Sequence, residues 1–155
     1  MSTNKISFGS PTAITCTLAA LASGAARQST KLDFTSIRFL DLLLELTVTV
    51  PNLALGSNPK VDVYLSRSID GTKFSGGCSG VDGAYAANLL QNLQHLGTLY
   101  TPNQNQTYDG IFDTVAGPNA ALGLPPYLVI VLVNNTGQAL TSGAFQYRGL
   151  HVLNE

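Results

Sequence analysis

A chain of 155 residues with a formal net charge of −1 and a pI near 6.0 holds one domain's worth of sequence and carries no basic field to draw in nucleic acid or an anionic membrane. Only 11% of its residues are charged, against about a quarter in ordinary soluble domains, and the mean hydropathy is +0.18. Eight basic and nine acidic residues over the roughly 7,500 Å² that a folded chain of this mass exposes leave about one charge per 440 Å², a surface suited to being covered by partners.

Residues 1–11 are polar, with Ile6 and Phe8 as isolated apolar anchors, and read as an N-terminal arm, extended where ordered. The opening Met-Ser-Thr-Asn-Lys lacks the basic region and apolar run of a secretory signal. Residues 12–155 form the domain. Residues 13–18 alternate around Ile14, Cys16 and Leu18, and residues 28–34 read as an extended polar strand.

From residue 39 to 50 the even positions Leu40, Leu42, Leu44, Leu46, Val48 and Val50 are all apolar, while Asp41, Glu45, Thr47 and Thr49 occupy odd ones. Strict period-two alternation predicts a strand with one face in a core, ended by Pro51. Val61, Val63 and Leu65 predict a second such strand, running into the Asp70-Gly71 turn.

The glycine-rich stretch around Cys78 reads as a flexible loop, and residues 86–94 as one short helix. Residues 96–101 and 108–114 carry the β-branched and aromatic residues that strands favour. Residues 127–133 are apolar on both parities, which predicts a central strand covered on two sides. The segment is also the longest apolar one, far short of a bilayer span. Asn134 to Gly137 make a turn, and residues 145–153 close the chain. There Phe145, Tyr147 and Leu153 lie on one parity and Leu150 and Val152 on the other, so Ile6, Phe8, Phe145, Tyr147, Leu150 and Val152 are the candidate protein–protein interface. About eight short strands with Gly and Pro punctuation predict an all-β single domain, a β-sandwich or jelly roll. The stretches 56–59 and 116–119 read as loops within it.

Catalytic patterns are sparse. His95 and His151 stand at no metal-ligand spacing, and Asp109 and Asp113, four apart on a strand, are about 13 Å apart, too far for a glycosidase pair. The Asn-x-Thr triplets at Asn105 and Asn134 are expected to be coincidental. Two cysteines are too few for a disulfide framework, so synthesis and folding in a reducing cytoplasm are expected. The basic residues are scattered singly, unlike a nucleic-acid site. No enzyme activity, cofactor, metal, nucleic acid or membrane is expected.

The run from Ile14 to Ser23, the segment Ala26 to Thr30, then Val61 to Leu65 with Ser68 to Thr72, and finally Asn134 to Leu140 before Tyr147-Arg148 together resemble a family of small structural proteins of tailed-bacteriophage virions. The resemblance spans roughly residues 14–148 and rests on turn-and-strand patterns. It implies a sandwich that decorates or cements a capsid, bound to the outer surface of the major capsid protein lattice and to itself, as a homotrimer. A tail, fibre or adaptor component and a carbohydrate- or receptor-binding module on the same fold remain the alternatives, since fold does not dictate function.

Overall fold

A computed structural model describes residues 4–37, 39–113 and 124–154, with side chains described within those ranges from residue 6 to 151. The stretch 116–119 and the side chains of Val152 and Leu153 lie outside the described residues. The strands are β1 (Asn4–Phe8), β2 (Thr12–Ile14), β3 (Ala26–Gln28), β4 (Leu32–Asp33), β5 (Asp41–Thr49), β6 (Lys60–Ser68), β7 (Gly83–Tyr85), β8 (Gln94–Tyr100), β9 (Thr107–Phe112), β10 (Tyr127–Asn135) and β11 (Ser142–Asn154). Short 3-10 turns occupy Ser75–Gly77 and Ala87–Asn92.

Two antiparallel sheets make an all-β sandwich. The front sheet runs β1-β11-β5-β9, with β2 also on β11. β1 and β2 lie end to end along β11: Phe8 pairs with Leu150 and Thr12 with Tyr147, with a step at Gly9 to Pro11. Residues 4–8 of the N-terminal segment thus form an edge strand held by its own chain. The back sheet runs β7-β3-β10-β6-β8, and β3 and β4 lie end to end along β10. The extended run expected over 28–34 is therefore interrupted, at a step where the buried Ser29 hydroxyl accepts the N–H of Ile130.

Alternation explains how the sheets meet. Leu42, Leu44, Leu46 and Val48 of β5 are buried against Val61, Val63 and Leu65 of β6 and Leu128, Ile130 and Leu132 of β10. Leu40 departs from this series: it precedes β5, is 43% exposed, and is held by its N–H to the Leu150 carbonyl. Strand β10 is buried on both parities, as its composition predicts, because a second layer covers the back sheet. Val129, Val131 and Val133 point into a smaller core closed by Phe74, Cys78 and Tyr85, with Leu89, Leu90 and Leu93 packed around it.

This cover corrects two expectations. The glycine-rich stretch around Cys78 is a packed lid, because Phe74 and Cys78 are buried beneath it and the Tyr85 hydroxyl donates to the Gly76 carbonyl. The helix expected over 86–94 is a 3-10 turn ending at Asn92, with Gln94 already in β8. Cys16 and Cys78 are both buried free thiols, and burial pushes the Cys16 thiol up to about 12.

Candidate interaction surface

Directly opposed residues of antiparallel strands share a face. On the front sheet the register pairs Phe8 with Leu150 and Leu150 with Asp41, then Arg148 with Leu43, then Gln146 with Glu45 and Glu45 with Ile111. Since Leu42, Leu44 and Phe145 face the core, this row set faces outward. It carries Ile6 at 64%, Phe8 at 54% and Ile111 at 66% exposure, with Leu43 and Leu150 half-buried between them. Apolar side chains on four adjacent strands make a shallow apolar patch crossed by Arg148 and by Glu45, which accepts a hydrogen bond from Gln146.

The six candidate interface residues divide by parity. Ile6, Phe8 and Leu150 lie on the outward face, and the Val152 backbone pairs with Ile6 beside them. Phe145 and Tyr147 do not belong to that surface. Phe145 is 2% exposed in the main core, and Tyr147 packs edge-to-face on Phe34 with ring centroids 5.6 Å apart and lies near Phe39. The final strand carries apolar residues on both parities: Phe145 and Tyr147 pack inside the sandwich, while Leu150 faces out. Leu43 and Ile111 join the patch without having been singled out by sequence. Leu43 did carry a signal, as the one apolar residue on the otherwise polar parity of β5.

The edge matters as much as the face. β5 pairs with β11 only up to Leu150, whereas β1 continues along β11 to Asn154. The last residues of β11 and the first of β1 thus form a two-stranded ribbon beyond the sheet, an arrangement marginal in water by itself. An edge strand presenting Ile and Phe is a template for association unless covered.

Elsewhere several polar side chains are committed to one another. Asp62 is nearly buried. Burial opposes its ionisation, but hydrogen bonds from Thr98 and Asn135 and the nearby Lys60 ammonium outweigh it and hold the carboxyl below its ordinary value. His95 lies 3.6 Å from Asp62 and stacks against Tyr64, while His151 lies beside Phe39. Asp109 accepts from the Thr47 hydroxyl. Asn134 is fully buried, its amide donating to the carbonyls of Leu21 and Gln138, so it is no acceptor for a glycan. Among the described residues no group of three or more His, Cys, Asp or Glu side chains is placed to hold a metal, and no helix is long and apolar enough to cross a membrane. Comparison with protein-family models and with curated proteins returns no match.

Proposed function

We propose that this chain is a structural virion protein that associates with itself and decorates the outer surface of a bacteriophage capsid, in a binding role and not a catalytic one. The observation that carries the reading is the outward patch of Ile6, Phe8, Leu43, Leu150 and Ile111 on the front sheet, next to the ribbon formed by the two chain ends. Apolar area on an uncovered strand edge favours association, and symmetry multiplies such contacts over a particle. The resemblance of residues 14–148 to tailed-phage virion proteins supports the same class.

Strand order adds support. Taking β1 with β2 and β3 with β4 as single strands, and setting aside the short β7, the eight strands in chain order fall as 1-8-3-6 and 2-7-4-5. We read this as a jelly roll, an architecture common to viral capsid proteins, lectins and cupins, so it supports the class without dictating the function. On this reading the major capsid protein is the partner, no cofactor is needed, and the protein is made in the host cytoplasm and resides on the virion.

The test compares particles with and without this protein under heating. Decorated shells should release DNA at the higher temperature, because a ligand that binds only the assembled shell stabilises it by mass action. Equal release temperatures would remove the stabilising role. Labelling confined to the tail would replace it with a tail component.

A further inference from the structure

The loops at one end of the sandwich contain no charged residue, the neighbouring charges among the described residues being paired: Lys60 with Asp62, and Arg27 with Asp82. Thr49 pairs with both Ser142 and Thr107, Lys60 with both Tyr100 and Asn135, and Ala26 with Val133. The four connections 15–25, 50–59, 101–106 and 136–141 therefore all emerge at the same end, each crossing from one sheet to the other. Together they contain not one Asp, Glu, Lys, Arg or His, and every charged residue of the chain lies outside them. The opposite end, by contrast, carries Asp33, Asp41, Asp70, Lys73 and Asp113 at or just past strand termini. The molecule is chemically polarised along its strands.

The uncharged end is also a built surface. Ala20 donates to the Leu140 carbonyl and Leu140 to that of Leu21, Gly56 donates to Thr136, and Asn105 to Pro51. The Gln138 amide reaches the Ala54 carbonyl, and Gly137 donates to the Ser23 hydroxyl. Gly137, at φ +93°, lies so close to Gly56 that a Cβ there would stand 2.3 Å from the Gly56 nitrogen. Loops bonded to one another this way lose little freedom on binding. They present Leu53 at 56% exposure and a groove of about 310 Å³ lined by Leu55, Gly56, Pro102, Asn103 and Gln104.

We propose that this uncharged loop end is the surface that seats on the capsid shell, against a shell surface that is itself uncharged. The inference rests on the decoration reading and adds the orientation. A buried charge without a partner is costly, so a contact free of charge on one side selects a neutral surface on the other. The end is also remote from the apolar patch, whose centre at Leu150 and Asp41 lies at the far end of β5, so self-association and shell binding can occur together. With no ion pairs across it, shell binding is nearly independent of salt.

The experiment uses empty shells that lack this protein and three forms of the full chain. These are the parent, the double variant Leu53→Glu with Gln104→Glu on exposed loop positions, and the control Ala84→Glu on the exposed face of β7. The double variant is expected to bind shells about tenfold more weakly or worse, with parent-like melting and sedimentation, while the control binds like the parent. Parent binding is expected to change less than about twofold between about 0.05 and about 0.5 M salt. Parent-like binding by the double variant, or steep salt dependence of the parent, overturns the seating surface and leaves decoration intact. Loss of self-association in the double variant also overturns it, by making the end a contact between copies. A parent that binds no shells at all removes the decoration reading and this inference together.

Discussion

At the scale of single residues, the most consequential polar contact joins distant parts of the chain through Asp82. Its carboxylate accepts from Arg27 Nε at 2.7 Å and from both the N–H and the hydroxyl of Thr17. The guanidinium hydrogen bond, with those of Thr17, holds the carboxyl down to about 2 from an ordinary 3.8. A carboxyl depressed by folding contributes stability above its unfolded pKa, and that contribution disappears as pH falls through the folded value. Asp82→Asn should therefore cost about 1–2 kcal/mol at neutral pH, discounted for partial solvent screening. The gap from the parent should close as pH falls from about 4 to about 2. Urea unfolding at pH 7 and in mild acid reads both effects, and equal stability at pH 7 would show that the three donors contribute nothing net. No sequence pattern connects Thr17, Arg27 and Asp82, because their meeting depends on how β3, β7 and the loop after β2 come together.

At the scale of elements, β5 is the strand whose face assignment follows most directly from its residues. Leu44 has no exposed surface and packs between the sheets, so Leu44→Ala should cost about 2–5 kcal/mol through lost contacts and the cavity left behind. Glu45→Gln, on the outward parity, should change stability by less than about 0.5 kcal/mol. Chemical denaturation of the two variants checks the parity, and a harmless leucine change beside a severe glutamate change would invert it. β11 was harder to read for a physical reason. It is apolar on both parities, and periodicity cannot tell a residue filling the core from one facing a partner when both environments are apolar. Phe145 and Leu150 differ in fate only because β5 and β1 set which side of β11 meets the back sheet.

At the scale of the whole molecule, the proposed self-association makes a direct prediction. Replacing Ile6 and Phe8 together by Asp places two charges on the exposed face of the edge strand, where neither side chain serves the core. On the proposed reading, the parent sediments as a closed oligomer at micromolar concentration and this variant as a monomer of the same fold. A monomeric parent, alone and with capsid protein, would remove the claim. An unchanged oligomer in the variant would move the contact to another surface. Charge is unevenly placed at this scale: the outward face of the front sheet mixes Asp41, Glu45, Asp109 and Arg148 with its apolar residues, while the four loops at one end hold none.

Local information in the chain was enough for the all-β class, for β5, β6 and β10, and for the turn at Asp70-Gly71; the turn expected over Asn134 to Gly137 starts later, because Asn134 and Asn135 still pair with Val61 and Lys60 in β10. These features depend on alternation, on a short run apolar on both parities and on residues that tolerate tight turns, and all act over a few positions. The second layer over the back sheet is a different matter. A glycine-rich stretch looks flexible until Phe74 and Cys78 find Val129 and Val131 across about fifty residues of chain. Composition announced only that charge is sparse. Where the uncharged surface gathers is a property of topology, since four loops far apart in sequence share one end only because their strands pair in this order.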